Sequence, residues 1–258
     1  MSNDLEMQPV LKHPLDPFIH IVLVETEESL NIGSVARAMK NLGFSNLHLV
    51  KPVHFSIEKA AITGRWAIDL LEAAKVHDSL EACLEPMTEV VGFSGRDGKN
   101  RANLMLPEWV GHFRARELAP TALVFGPEDT GLRHDHVEHC RWLVRIPSSI
   151  DYPSFNLAQA VLLGIFELAR LDWSQAKTGN SEHAADWNQF YQLDRLIDEV
   201  LTESGFYRVG TPEPIPGLVK NLFRRTNPDK REMGVLLAMF AKVKKTMERG
   251  KIDSLKEG

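Results

Sequence analysis

Three segments of the chain combine small polar or turn-forming residues with an ionisable side chain at a place where chemistry can occur. The first is Asn31-Ile-Gly-Ser34-Val-Ala-Arg37-Ala-Met39 and the second is Leu123-Val-Phe-Gly126-Pro-Glu128-Asp-Thr-Gly131-Leu132. The third runs from Ile146 through Ser154 and Asn156 to Val161; it leaves an apolar strand, crosses residues rich in Ser, Asp, Tyr and Pro, and enters an apolar helix at Asn156-Leu157. A strand-loop-helix junction of this kind presents helix N-terminal amides that lack internal partners, so it can hold a polar ligand. In the first segment Asn31, Ser34 and Arg37 recur every three residues, which puts them on one side of a helix facing the strand ends.

Several familiar chemistries are disfavoured. Gly126 to Gly131 has the spacing of a phosphate-binding loop, but Leu132-Arg133 follow where Lys and Ser/Thr must hold phosphate and magnesium. No G-x-G-x-x-G follows a strand, which argues against a nicotinamide dehydrogenase. Gly92-Phe-Ser94-Gly-Arg96 resembles a nucleophile elbow with Arg96 in place of the second glycine, so Ser94 reads as a loop residue in contact with a ligand. His134, His136, His139 and Cys140 crowd one segment, yet His134 would point away from the others on a helix. A solvated helix face is the favoured reading there, and no metal is expected.

These segments need a frame to bring them together. With 258 residues, 43% hydrophobic and 25% charged, the chain can bury one substantial core and a small appendage. A β-branched run at Phe18–Val24 reads as a strand buried on both faces and Thr121–Phe125 as another buried strand, while Asn46–Val50, Glu89–Phe93 and Arg141–Ile146 read as further strands and Lys75-Val76-His77 as a short extended piece. Helical spacing separates them, at Asn31–Leu42, Ile57–Ile62, Arg65–Ala74, Ser79–Leu84, Pro107–Leu118, Arg133–His139 and Asn156–Trp173. Such alternation predicts an α/β fold with a mostly parallel sheet flanked by helices, in which ligands collect beyond the carboxyl ends of the strands. Residues 1–17 read as a disordered leader, 18–173 as the main domain, 174–187 as a linker and 188–258 as an all-α extension. Helices are expected there at Asn188–Ser204, Gly217–Arg225 and Pro228–Arg249, the last with Asn227 as cap, and the prolines at 212, 214 and 216 are expected in a turn.

The net charge of -5 is unevenly placed: residues 1–186 hold 17 Lys/Arg against 25 Asp/Glu, and residues 187–258 hold 13 against 10. A basic extension can bind a polyanion or can be two solvated helix faces. Two cysteines, the want of a signal-peptide pattern and the want of a membrane-length apolar run point to a cytoplasmic protein without membrane contact.

Taken in order, the three segments resemble the motifs of the TrmH-like group of SPOUT-class RNA ribose methyltransferases, over about Phe18 to Trp173. Leu23-Val-Glu25-Thr26 before the first motif, Gly205-Phe206 and the basic Leu218–Arg225 stretch are most similar to the TrmJ type, which methylates the 2′-hydroxyl at position 32 of the tRNA anticodon loop. The resemblance implies S-adenosyl-L-methionine held by Phe93, Ser94 and Gly95, by Gly126 and Gly131, and by Ile146, Pro153, Ser154 and Phe155. Pro153 and Phe155 depart from the small polar residue and the Leu that are usual at those positions. It implies a catalytic role for Arg37, positioned with Asn31 and Ser34, while Glu128, Ser154 and Asn156 order the loops. It further implies a trefoil knot, a homodimer and tRNA as partner. Topological rules alone would exclude the knot, since threaded chains are nearly absent from folded proteins. Two other functions stay open: a sister methyltransferase acting on rRNA or another tRNA site, and a catalytically silent RNA-binding module.

Overall fold

The structure is a computed structural model, and it describes residues 12–95, 103–149, 151, 154–174, 184–207, 214–226 and 228–256. Seven strands form one sheet: β1 Ile19–Val24, β2 Asn46–Val50, β3 Lys75–His77, β4 Glu89–Phe93, β5 Asn103–Met105, β6 Thr121–Phe125 and β7 Trp142–Arg145. Their order is β3-β2-β1-β6-β4-β7-β5, and every pairing is parallel. β6 thus lies between β1 and β4, and β7 between β4 and β5, each in a slot flanked by strands made earlier.

The continuous apolar runs follow from this placement, because a central strand of a parallel sheet is covered on both sides. In β1, Ile19, Ile21 and Leu23 face one core while Val22 and Val24 face the other. The first core takes helices α1 Ser29–Asn41, α5 Leu106–Arg114 and α7 Leu157–Ala169 through residues such as Ile32, Met39, Trp109 and Ile165. Leu80, Cys83 and Leu84 of α4 Leu80–Leu84 fill the second, together with Leu132 and Cys140 around α6 His134–Glu138. Two short helices, α2 Ile57–Thr63 and α3 Ile68–Glu72, follow β2. α1 and α2 meet backbone to backbone: a Cβ on Gly33 would lie 1.9 Å from the Ala60 carbonyl oxygen. Only glycine fits at that crossing.

Residues 12–17, which read from sequence as leader, are packed. Leu15 is wholly buried, and Asp16 accepts from the Ser45 amide at 2.6 Å. Their prolines interrupt any period but still allow a buried turn. β5 is absent from the sequence reading because three residues at a sheet edge carry no measurable periodicity. α5 and α7 end earlier than their apolar patterns, which continue through Leu118 and Trp173 into turns that are also buried.

The extension contains α8 Trp187–Glu203, α9 Pro214–Thr226 and α10 Lys230–Lys256. Pro214 and Pro216 fall in the first turn of α9, where the missing N–H costs nothing because no intrahelical acceptor exists for it. Asn227, expected as the cap of the last helix, lies outside the described residues. Phe190, Leu193, Ile197 and Met233 form the extension's own small core. It docks on the sheet domain through Arg224, whose side chain is buried, pairs with Asp194, and donates to the Glu138 and Cys140 carbonyls at 2.9 Å each. Trp187, placed in the linker by the sequence reading, opens α8 and joins the second core.

Candidate active site

The carboxyl ends of β4, β6 and β7 release three loops that enclose a cavity of about 340 Å³. Its floor is apolar, made by Phe93, Phe125, Val144 and Leu157; Ser94, Gly95, Glu128, Thr130 and Ser154 supply polar groups at the rim. Phe93 stacks on Phe125 with ring centroids 4.5 Å apart, and Gly164 of α7 sits against the Phe93 ring edge. A side chain at 164 would press on that ring, so the small residue sets how closely α7 approaches the floor.

The loop after β6 folds back on its own start. The Gly131 amide donates to the Pro127 carbonyl at 2.8 Å, and Gly131 takes a positive φ of 64°. A Cβ on Gly126 would lie 2.3 Å from the Gly131 carbonyl carbon and 2.4 Å from the Leu132 nitrogen. Two carboxylates, Glu128 within the loop and Glu25 outside it, anchor its ends. Glu128 Oε1 accepts from Asn31 Nδ2 at 2.6 Å, which joins the loop to the first turn of α1. Arg133 forms a two-pronged pair with Glu25, including Nη2 to Oε1 at 3.1 Å, which joins it to the end of β1. The Arg133 hydrogen bond holds the Glu25 carboxyl below the usual carboxylate range. Glu25 itself has φ 51°, an uncommon conformation for a residue with a side chain, and the ion pair on both prongs helps to hold it.

The sequence candidates divide into two groups. Phe93, Ser94, Gly95, Gly126, Glu128, Gly131, Ile146, Ser154 and Phe155 all line the cavity. Pro153 lies outside the described residues. Asn31 touches the cavity only through Glu128, and Ser34 donates back to the Leu30 carbonyl at 2.9 Å. Asn156 is the N-cap of α7: its Oδ1 accepts from the Ala158 amide at 3.0 Å, and Gln159 accepts from the Asn156 amide at 3.3 Å. Arg37 is exposed, does not line the cavity and has no hydrogen bond or ion pair among the described residues. A three-residue interval turns a helix by about 300°, so two such steps carry Arg37 well round from Asn31.

The sequence does not disclose the Glu25–Arg133 link. A charged residue two positions after Gly131 is the available signal, but its partner is 108 residues away. The histidines of the 134–140 segment separate: His136 packs against Arg133, whereas His139 turns to Glu81 at 3.3 Å and to Trp187.

Residues 18–166 match the model of the SpoU rRNA methylase family. The chain belongs to that family. Curated relatives include tRNA (cytidine/uridine-2′-O-)-methyltransferases named TrmJ from Sodalis glossinidius, 35% identical over 89% of this chain and 92% of that protein, and from Yersinia pestis, 37% identical over 88% and 91%. Among solved structures, TrmJ from Z. mobilis superposes with a TM-score of 0.75 over 87% of this chain and 98% of that one at 22% identity. A probable methylase family protein from Haemophilus influenzae has a TM-score of 0.56 over 90% and 98% at 28% identity. The family match spans the sheet domain, and the TrmJ alignments reach well beyond it, into the helical extension.

Proposed function

We propose that this chain transfers a methyl group from S-adenosylmethionine to a ribose 2′-hydroxyl of tRNA, at a cytidine or uridine, and that the nucleotide is position 32 of the anticodon loop. The observation that carries the reading is the glycine-closed cavity at the ends of β4, β6 and β7 in a chain so similar along its length to tRNA 2′-O-methyltransferases.

The cavity fits a nucleoside-bearing cofactor. A flat base needs an apolar slot and backbone at close range, and the Phe125, Val144 and Leu157 floor beside Gly126 offers both. Bound S-adenosylmethionine supplies a methyl group already activated on a sulfonium, so the protein's task is to orient the hydroxyl and ease loss of its proton. Ser94, Gly95, Ser154 and Phe155 hold the cofactor from the β4 and β7 loops, while Glu128, fixed by Asn31, keeps the β6 loop in place.

Arg37 completes the site from a second copy of the chain. Its guanidinium retains its proton in nearly all protein settings. It therefore anchors an RNA phosphate and stabilises the developing alkoxide, and phosphate or solvent takes the proton. Its exposure and its absence from its own chain's cavity lining support action across a dimer. So do Leu30 of α1 and Leu162 and Phe166 of α7, which are 40%, 40% and 47% exposed on two helices that pack together. In this reading the C-terminal part of the sheet domain is threaded as a trefoil knot, which accords with β6 and β7 occupying slots between earlier strands. Among the described residues no helix is long and apolar enough to cross a membrane, and a tRNA substrate supports a cytoplasmic location.

The test is methyl transfer in vitro from labelled S-adenosylmethionine to unmodified tRNA and rRNA, followed by mapping of the methylated ribose. Label at C or U 32 of tRNA is expected. Label confined to rRNA or to another tRNA site overturns the site assignment, and no transfer to any RNA overturns the activity.

A further inference from the structure

We propose that His48, His77 and Cys83 form a binding site for one zinc-type divalent cation on the face of the sheet that carries α4, separate from the methyl-transfer cavity. His48 belongs to β2, His77 ends β3 and Cys83 comes from α4; one ligand atom from each lies within 4.8 Å of the other two. His48 Nδ1 is 3.0 Å from His77 Nε2. Tetrahedral zinc with two imidazoles and one thiolate needs ligand separations of roughly 3.3–3.6 Å, from metal–nitrogen and metal–sulfur bonds of about 2.0 and 2.3 Å. Small side-chain rotations meet that requirement.

The surroundings match the ligand set. His48 is 3% exposed, and its other ring nitrogen, Nε2, is 3.0 Å from His20 Nδ1 of β1. A ligating histidine ordinarily uses its second nitrogen in this manner, which fixes its tautomer. Both histidines are kept neutral, chiefly by burial; the proton that one now donates to the other across their 3.0 Å contact moves to the far ring nitrogen of the same imidazole when both ligate. Cys83 is fully buried and its thiol is pushed up to about 12 by burial, so it carries its proton until a metal arrives. Binding forms the metal–sulfur bond and releases that proton to solvent, and affinity therefore rises with pH. Lys75 of β3 is the nearby cation: it repels the metal but favours the thiolate. His77 is half-buried at the outer strand, which gives the ion a route in. A protein site of two nitrogens and one sulfur leaves the fourth position to water.

The alternative is a chain of neutral histidines joined only by hydrogen bonds. Cobalt(II) separates the two, since a thiolate ligand gives it an intense near-ultraviolet band. Chelator-stripped full-length protein is titrated with cobalt and then zinc, alongside Cys83→Ser and His77→Ala. The expected result is one ion per chain with the thiolate band, loss of the band in Cys83→Ser, and affinity weakened roughly tenfold or more in His77→Ala. Absence of the band in the parent protein, or unchanged affinity in either variant, overturns the site. If Cys83→Ser fails to fold by circular dichroism, the parent's band and the His77→Ala affinity decide between the same two outcomes.

Discussion

Asn31 Nδ2 donates to Glu128 Oε1 at 2.6 Å, and this one contact ties the first turn of α1 to the loop that closes the cavity. Glu128 is also 3.5 Å from the Glu27 amide, so its carboxylate bridges the entry of the helix. The pair is partly exposed, which limits its worth to about 1 kcal/mol despite the charge. Asn31→Ala and Glu128→Gln should each weaken S-adenosylmethionine binding by several-fold. The double variant should be no worse than Glu128→Gln alone, because the second change removes nothing that the first left in place. Isothermal calorimetry on the four proteins measures the coupling; strictly additive losses would separate the two residues.

Gly126→Ala should abolish cofactor binding with little change in secondary structure. Its new Cβ would strike Gly131 and Leu132 backbone atoms at 2.3–2.6 Å, and backbone in a closed turn cannot swing aside as a side chain can. Gly111 in α5 supplies the contrast, since a Cβ there meets nothing within 4 Å. Gly111→Ala should raise stability by about 0.5–1 kcal/mol in urea unfolding and leave binding unchanged.

What the sequence discloses follows the range over which each signal acts. The strands at 89–93 and 121–125 are legible to the residue because burial on both faces leaves a mostly apolar run, and 46–50 is legible through Leu47, Leu49 and Val50 although Asn46 and His48 interrupt it. The cavity loops are legible because glycine and small polar residues mark tight backbone locally. β5 has too few residues to show a pattern. Arg224 reads as one more base in a basic helix, yet it is 7% exposed and pinned to Asp194 and two carbonyls more than 80 residues distant. Arg37 is the instructive case. Its motif suggests chemistry, but helical geometry and the cavity lining put it outside its own chain's pocket, a fact that spacing alone did not reveal.

Stability should fall with acid over a defined window. Burial lowers His20 to about 4, helped by Lys75 and opposed by Asp16, and lowers His48 to about 3, helped by the His20 and His77 imidazoles and Lys75. Unfolded histidine protonates near pH 6.5, so between about pH 6.5 and pH 4 the unfolded chain binds more protons than the folded one. The stabilisation is complete above pH 6.5 and is lost as pH drops towards the folded values. Each histidine contributes a slope of at most about 1.4 kcal/mol per pH unit. Urea unfolding at pH 7.5, 6 and 5 in the presence of chelator should show this slope, and His20→Gln should reduce it by up to half.

The basic surface of the extension is smaller than its composition suggests. Arg224 is buried on Asp194, Lys220 pairs with Asp198 and Lys244 with Glu199, so part of the positive charge is met by α8. Arg225, Lys230, Arg231, Lys242, Lys245 and Arg249 remain exposed. If they grip tRNA, Arg231→Glu, Lys245→Glu and Arg249→Glu together should weaken binding at low salt and reduce the slope of log affinity against log salt by about 2–3. Deleting the whole extension would confuse that measurement, because Trp187 and Arg224 pack on the sheet domain. An unchanged slope in filter binding would assign the RNA contacts to the sheet domain.

Whether Arg37 serves its own chain's cavity or that of a second copy can be decided with two inactive proteins. Arg37→Ala keeps an intact cavity and lacks the guanidinium; Gly126→Ala keeps Arg37 and lacks a usable cavity. Each should be inactive alone, and Arg37→Ala should still bind S-adenosylmethionine. When the two are unfolded and refolded together, or co-expressed with different tags and purified as mixed dimers, a mixed dimer holds one intact cavity and one Arg37 on opposite chains. Action across the interface then restores one working site per mixed dimer, roughly half the parent activity. Action within a chain restores nothing, since the chain with the cavity has no Arg37 and the chain with Arg37 has no cavity. The exposure of Arg37, and its absence from the lining formed by the loops after β4, β6 and β7, make restored activity the expected result.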